Sequence, residues 1–188
     1  MTPPDNTTPA QPLKSDPTAE QRKQDHIELA LKSRVAGQDI DHRFYYEPLL
    51  AAHPKTLKEK QFLGKTMRAP IWISSMTGGT AMAGTINKNL AQACAEFGLG
   101  MGLGSCRALL DSDEFFEDFN LRPIIGDSQP FYANLGIAQV EQLLAKGEGE
   151  KIQTMLHKLR ADGLFIHVNP LQEWLQPEGD AITRPPIE

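Results

Sequence analysis

The sequence has few of the features that place a protein outside the cell, in a membrane or on nucleic acid. Its 188 residues include only two cysteines, too few for the disulfide framework of a small secreted domain. No apolar run approaches the roughly 20 residues of a membrane span, and the N-terminus lacks a signal-peptide pattern. With 19 Lys and Arg against 24 Asp and Glu, the net charge of −5 argues against nucleic acid or an anionic membrane as a partner. We therefore expect a cytoplasmic protein.

What is present is enough apolar content for one domain, behind a proline-rich N-terminus. Hydrophobic residues make up 40% of the chain, which suffices for a single core. Residues 1–20 contain prolines among Thr, Asn and Asp, and such a segment cannot bury enough apolar surface to offset its ordering entropy. We predict a disordered leader over residues 1–20 and one folded domain over residues 21–188.

Apolar strands alternate with helices along the rest of the chain. Buried strands are predicted over residues 70–75, 99–105, 130–136 and 162–169. Helices are predicted over residues 20–33, 85–97, 111–119, 139–146 and 151–160, while residues 34–69 predict at most one or two short strands. Strands that are apolar throughout, with helices between them, indicate a parallel sheet covered by helices.

The second predicted strand contains three alternating glycines, Gly100, Gly102 and Gly104, which place small residues on one face. They lie inside the strand and not at a strand-to-helix turn, so they are not a dinucleotide-binding fingerprint. Either a closely packed neighbour or a flat ligand needs the room that they leave.

Polar side chains follow all four predicted strands. They are Ser74, Ser75 and Thr77, then Ser105 and Arg107, then Asn134, then His167 and Asn169. Four loops that become polar at one edge are typical of the catalytic face of an α/β barrel. A doubly wound sheet usually binds its ligand at one or two loops around a switch point. We favour a TIM (β/α)8 barrel, of which the chain carries roughly the first four β/α units, with open sheet edges at residues 70–75 and 162–169.

The densest polar cluster follows the last strand. His167 and Asn169 are predicted to share one strand face, because side-chain direction repeats every two residues, and Gln172 and Glu173 follow in the loop. A buried histidine and an asparagine that caps a turn would explain any one of these residues. Four such groups at the end of an apolar strand indicate a site.

A basic pair, Arg22 and Lys23, lies near the start of the first predicted helix, where cations oppose the helix dipole. Such a pair is usually part of a solvated face. It is also how a flexible arm would hold a phosphate group.

Taken in order, these stretches resemble the motifs of type 2 isopentenyl-diphosphate isomerase. They are Arg22-Lys-x-Asp-His-Ile27, Ile73-Ser-Ser-Met-Thr-Gly-Gly-Thr80, Gly100-Met-Gly-Leu-Gly-Ser-x-Arg107, Ala133-Asn-Leu-Gly136, Ala161-Asp-Gly-x-x-Ile-His-Val-Asn-Pro-Leu-Gln-Glu173 and Gln176-Pro-Glu-Gly-Asp180. The resemblance implies an FMN-dependent TIM barrel, normally a homo-oligomer, that interconverts isopentenyl and dimethylallyl diphosphate in isoprenoid synthesis. It also implies a need for reduced FMN, with NADPH as reductant, and for Mg²⁺.

The resemblance implies a role for each matching residue. The implied flavin contacts are Ser75, Met76, Thr77, Ser105 and Asn134. The implied substrate ligands are Arg22, Lys23, Ser105, Arg107, Asn169 and Gln172. His167 and Gln172 are the expected catalytic residues near the allylic carbons. Glu173 is the expected Mg²⁺ ligand, since Mg²⁺ is usually held by one or two carboxylates plus substrate phosphate oxygens.

The chain departs from the family pattern in two respects. Cys106 stands where the family commonly has Gln, and the phosphate-binding loops after barrel strands 7 and 8 are not in the sequence. We therefore expect the N-terminal half of such an isomerase. The alternatives are another FMN-dependent TIM-barrel oxidoreductase, such as a hydroxy-acid oxidase, and a non-catalytic fragment that persists only by pairing with a second half. The early Arg22-Lys23 pair and the Gln172-Glu173 pair argue against the oxidase, which needs no Mg²⁺ carboxylate.

Overall fold

The computed structural model is an α/β structure organised around a four-stranded parallel sheet. It describes residues 19–32, 49, 56, 58–75, 77–177 and 179–188, so nearly all of the predicted leader lies outside the described residues. The helices are α1 (Ala19–Lys32), α2 (Ala81–Phe97), α3 (Phe116–Phe119), α4 (Arg122–Ile125), α5 (Ile137–Ala145), α6 (Glu150–Leu159) and α7 (Pro170–Leu175). The strands are β1 (Lys60–Phe62), β2 (Lys65–Met67), β3 (Trp72–Ile73), β4 (Gly100–Gly102), β5 (Phe131–Gly136) and β6 (Gly163–His167).

The four strands of the main sheet follow one another in chain order, β3-β4-β5-β6, and each pair is parallel. β1 and β2 form a separate antiparallel hairpin. The strand-and-helix alternation thus confirms the predicted α/β class with a parallel sheet. β3 and β6 are the two edge strands, as the sequence predicted.

One face of the sheet is covered by helices and forms the core. Met101 of β4 and Phe131, Ala133 and Leu135 of β5 are buried there against α2, α5 and α6. Side chains alternate between the two faces of a strand, so every second residue of β5 joins this core. α2 begins earlier than predicted because the Thr80 hydroxyl caps it, accepting a hydrogen bond from the Ala83 amide.

The opposite face carries aromatic rings, and we call it the aromatic face. Trp72, Tyr132 and Phe165 lie with ring centroids 5.1–5.7 Å apart, and Phe62 of the β1–β2 hairpin packs 5.1 Å from Trp72. These rings fill the room that Gly100 and Gly102 leave. A Cβ on Gly100 would overlap the Trp72 ring, for example. Closely packed neighbours therefore account for the glycines of β4.

A partly buried ion pair joins the amino ends of β5 and β6. The Arg122 guanidinium is almost fully buried, donates to the Asp162 carboxylate at 2.8 Å and lies over the Phe131 ring. The same carboxylate accepts from the Phe131 amide at 2.9 Å and pairs with Lys65 at 3.2 Å. Burial alone would raise the pKa of Asp162, but these hydrogen bonds and the Arg122 charge outweigh it and lower the pKa below its usual value.

The predicted full burial of the edge strands is wrong. β3 is half-buried, and Ile166 and Val168 at the end of β6 are 48% and 49% exposed. Both strands lie at an edge of the sheet, so each has a partner strand on one side. The second predicted strand is also shorter than expected, since pairing covers Gly100–Gly102 and not residues 99–105.

The predicted helix over residues 111–119 is also wrong over most of its length. Only Phe116–Phe119 is helical, and a 3₁₀ turn over Arg107–Leu110 precedes it. The Ser112 hydroxyl accepts a hydrogen bond from the Glu114 amide, and the Asp113 carboxylate accepts one from Lys158 of α6. Such side-chain bonds compete with helix formation.

Candidate functional site

Two predicted flavin contacts meet on the aromatic face. Asn134 in β5 is buried, and its Nδ2 donates a hydrogen bond to Ser75 Oγ, just after β3, at 3.3 Å. β4 runs between β3 and β5, so this contact has to cross it. It can do so because Gly102 has no side chain: a Cβ there would lie 2.9 Å from Ser75 Oγ.

Thr77, two residues after Ser75, is buried. Its carbonyl oxygen accepts a hydrogen bond from Asn87 Nδ2 of α2 at 3.3 Å, and its backbone packs directly against Gly104. Within the described residues, the Thr77 hydroxyl is buried without a hydrogen-bond partner. An unsatisfied buried hydroxyl is costly, so this atom is available to a ligand that reaches it. Met76, the other predicted contact of this loop, lies outside the described residues.

In the loop after β4, Ser105 lies at the surface and Cys106 lies in the core. Ser105 is exposed, and its hydroxyl accepts from the Arg107 amide at 3.5 Å. Cys106 is fully buried, and its amide donates to the Asn134 carbonyl oxygen at 2.8 Å. Burial raises the pKa of the Cys106 thiol to about 12, so the thiol stays neutral. Cys106 is thus a core residue of the loop that carries Ser105 and Arg107.

Arg107 is half-exposed and held by a carboxylate that lies far away in the sequence. Its Nη1 donates to Asp180 Oδ2 at 2.8 Å. The same Asp180 carboxylate accepts hydrogen bonds from Gln139 Nε2 at 2.7 Å and Gln142 Nε2 at 3.3 Å, both on α5. The predicted diphosphate ligand is therefore oriented by a polar network that includes the first turns of α5.

The predicted geometry after β6 needs correction. Asn169 does not share a strand face with His167, because β6 ends at His167 and Asn169 is the N-cap of α7. Its Oδ1 accepts from the Gln172 amide at 3.2 Å, and its Nδ2 donates to Gln172 Oε1 at 3.1 Å. Gln172 and Glu173 accordingly lie on a helix and not in a loop. Pro170 favours this helix, since proline suits the first helical position.

The other groups near α7 are His167 and the Glu173 carboxylate. His167 is exposed and pairs in register with Gly136, on the same sheet face as Asn134. Glu173 is half-buried, and its Oε2 accepts a hydrogen bond from the Asp180 amide at 2.9 Å. Across the described part of the chain, no group of three or more His, Cys, Asp or Glu side chains is placed to hold a metal. A metal here would bind to few protein carboxylates.

The basic pair is described in part. The Arg22 side chain lies outside the described residues. The Lys23 ammonium lies 2.8 Å from the position that a Cβ on Gly79 would occupy, in the loop that follows Thr77. α1 therefore carries Lys23 to the same edge of the sheet as the other predicted residues. Its predicted role in binding a diphosphate stays a prediction.

Comparison with known proteins gives three informative relatives. The chain is 40% identical to a protein of Pelodictyon phaeoclathratiforme over 176 residues, and 40% identical to one of Rickettsia felis over 165 residues. A protein of Mycolicibacterium vanbaalenii is 36% identical over 176 residues. All three are named isopentenyl-diphosphate delta-isomerase.

The similarity to these isomerases covers 85–89% of this chain and 47–50% of each relative. The chain thus spans about half the length of the curated isomerases that it matches. No family model matches it. In the described residues, none of the helices combines the length and apolar character needed to cross a membrane.

Sequence reasoning missed three residues of this candidate site. Asp180 belongs to the last recognised motif but had no role, and Gln139 and Gln142 were read only as part of a helix. Their spacing of three places both amides on one side of α5, which was the available signal. The contact from Arg107 to Asp180 spans 73 residues, and local patterns cannot predict it.

Proposed function

We propose that the whole protein is a type 2 isopentenyl-diphosphate isomerase that uses reduced FMN and Mg²⁺. The observation that carries the proposal is the gathering of predicted flavin, substrate and metal residues at one edge of a parallel sheet. Ser75, Arg107, Asn134 and Glu173 come from four consecutive strand-and-helix units and lie after or near the carboxyl ends of their strands. Ligands of α/β barrels bind at that edge.

The residues on the aromatic face fit a flavin ring. Its pyrimidine edge offers both hydrogen-bond donors and acceptors, which suit the amide of Asn134 and the hydroxyls of Ser75 and Thr77. The buried Thr77 hydroxyl has no partner within the described residues. When bound, reduced FMN would supply the proton-transfer chemistry at unactivated carbon. Asn134 and Ser75 would hold and orient the ring.

The residues outside the sheet fit a metal-bound diphosphate. Mg²⁺ prefers one or two carboxylates and completes its coordination with phosphate oxygens and water, so the single carboxylate of Glu173 is sufficient protein ligation. Arg107 and Lys23 would neutralise and position the diphosphate, which stays intact in the reaction. His167 and Gln172 would lie toward the allylic carbons, with Gln172 oriented by Asn169.

We further propose that the whole protein closes a TIM barrel, forms a homo-oligomer and takes its electrons from NADPH. Parallel order without a switch point supports the barrel, because a doubly wound sheet reverses its strand order at the binding crevice. The two open sheet edges would then pair with further strands.

The test measures isomerase activity of the whole protein with FMN, MgCl₂ and isopentenyl diphosphate, under anaerobic conditions with NADPH or dithionite as reductant. We expect dimethylallyl diphosphate only when flavin is reduced and Mg²⁺ is present. Equal activity with oxidised flavin would contradict the flavin mechanism, and oxidation of a hydroxy acid would support an oxidase instead.

A further inference from the structure

A single residue connects three consecutive strand-and-helix units at the candidate site. The Asp180 carboxylate accepts hydrogen bonds from Arg107, after β4, and from Gln139 and Gln142 on α5, after β5. Its backbone amide donates to Glu173 on α7, after β6. The Asp180 side chain is only 18% exposed.

These contacts join two groups that are predicted to bind different ligands. The proposed function assigns Arg107 to the diphosphate and Glu173 to Mg²⁺. The hydrogen bond from Arg107 to Asp180 is charge-assisted and 2.8 Å long, as strong ion pairs are. The hydrogen bond from the Asp180 amide to Glu173 Oε2 is 2.9 Å long. It fixes one carboxylate oxygen and leaves Oε1 for a metal.

Asp180 leaves Arg107 able to bind an anion. A guanidinium has five N–H groups, and the contact to Asp180 uses Nη1. The Arg107 side chain is also 40% exposed. Its remaining N–H groups can therefore reach a phosphate while Asp180 restrains the fork, which lowers the entropy lost on binding.

We propose that Asp180 is a positioning residue, which sets the Arg107 guanidinium and the Glu173 carboxylate at the spacing that a Mg²⁺-diphosphate needs. This inference rests on the proposed function. In this role Asp180 itself would touch neither substrate nor metal. It acts through its side chain on Arg107 and through its amide on Glu173.

Two variants of the whole protein separate these two actions. Asp180→Asn keeps the backbone amide and removes the charge that holds Arg107. We expect the KM for isopentenyl diphosphate to rise about tenfold, equivalent to about 1.4 kcal/mol, with kcat changed less than about twofold. Gly179→Ala places a Cβ against the Glu173 backbone and should move the Asp180 amide away from Glu173 Oε2. The Mg²⁺ concentration for half-maximal activity should therefore rise severalfold.

Thr183→Val is the matched control. Thr183 lies in the same terminal segment and hydrogen-bonds to Glu141 of α5, but it touches neither Arg107 nor Glu173 in the described contacts. Asp180→Asn and Thr183→Val should keep the wild-type melting temperature within a few degrees and bind FMN normally. Gly179→Ala should lower the melting temperature, because its Cβ overlaps the Glu173 backbone, so its Mg²⁺ dependence is measured well below that temperature. Arg107 should also react faster with phenylglyoxal in Asp180→Asn than in Thr183→Val, measured by mass spectrometry, and this readout needs no activity.

Each outcome is decisive. If Asp180→Asn leaves the KM unchanged or lowers it, Asp180 does not position Arg107 for substrate, and a lower KM would show that it competes with the diphosphate. If the wild type fails to bind isopentenyl diphosphate with Mg²⁺ in calorimetry, the proposed function fails and the positioning role falls with it. If the wild type binds isopentenyl diphosphate, but Asp180→Asn and Gly179→Ala have the same KM and Mg²⁺ dependence as Thr183→Val, only the positioning role is refuted.

Discussion

At the scale of single residues, the motifs named candidate site residues but not the neighbours that these residues contact. Ser75 and Asn134 were assigned to a flavin from motifs, and the structure brings them into contact. Asn169 was assigned to substrate, but its observed hydrogen bonds cap a helix and orient Gln172. A motif gives the order of residue types. It does not show that Asn169 and Pro170 begin the helix α7.

Asp162→Asn should destabilise the protein through its buried partner. Removing the carboxylate leaves the nearly buried Arg122 guanidinium without its counter-charge. Breaking a fully buried pair costs 3–5 kcal/mol, and since the Asp162 side chain is 19% exposed we expect about 2–3 kcal/mol. Chemical denaturation of the whole protein measures it. Asp127→Asn, which breaks an exposed pair with Arg160, is the control and should be nearly neutral.

The effect of Asp162 should depend on pH. Its pKa in the folded protein lies below the usual 3.8, so the folded state favours the ionised form. The stabilisation is therefore fully present well above pH 3.8 and is lost as the pH falls through the folded pKa. The stability difference between wild type and Asp162→Asn should shrink in acid. A difference that grows below pH 4 would contradict this assignment.

Under the proposed function, Glu173→Gln should weaken Mg²⁺ binding and leave flavin binding unchanged. The substitution removes an anionic ligand and keeps the shape of the side chain. We expect the Mg²⁺ requirement of the isomerase reaction to rise roughly tenfold or more, the factor that corresponds to losing one charged interaction. FMN absorbance of the purified variant should match wild type. Loss of flavin together with Mg²⁺ affinity would place Glu173 in a structural role.

At the scale of elements, alternation of strands and helices predicted the sheet but not the ends of its elements. Four apolar stretches became four parallel strands in chain order, because short connections favour neighbouring strands. The strand over residues 99–105 shortened to three residues, and the helix over residues 111–119 to four. The hydrophobic pattern does not predict side-chain hydrogen bonds such as the one that the Ser112 hydroxyl accepts, which compete with helix formation.

Gly102→Ala tests how β4 serves its neighbours. The new methyl group would lie 2.9 Å from both Phe165 Cε2 and Ser75 Oγ, closer than a Cβ normally approaches another heavy atom. We expect a loss of roughly 1–3 kcal/mol of stability from overpacking, and weaker FMN binding because Ser75 moves from Asn134. Gly149→Ala is the control, since its methyl group meets Leu144 at an ordinary 3.5 Å. Equal FMN affinity in the two variants would show that Gly102 does not affect the flavin site.

At the scale of the whole molecule, the described sheet leaves apolar groups at its β6 edge and on α7. Ile166, Val168, Leu171, Trp174 and Leu175 are 48–82% exposed. An open strand edge with apolar neighbours is a template for pairing with other chains, and large contiguous apolar patches are rare on monomers. The sequence predicted the open edge from the count of strands. It could not show that α7 adds a tryptophan to the same exposed surface.

A polypeptide limited to residues 1–188 should therefore associate with itself through β6 and α7. We expect size-exclusion chromatography with light scattering to give species well above the monomer mass of 20.8 kDa, without bound FMN or isomerase activity. Ile166→Lys should reduce the association, because charges on an edge strand oppose pairing. Leu144→Lys, at an exposed apolar position that belongs to neither β6 nor α7, is the matched control and should leave the association unchanged. A flavin-bound monomer that unfolds cooperatively would refute the prediction, because it would show that this surface is stable in water.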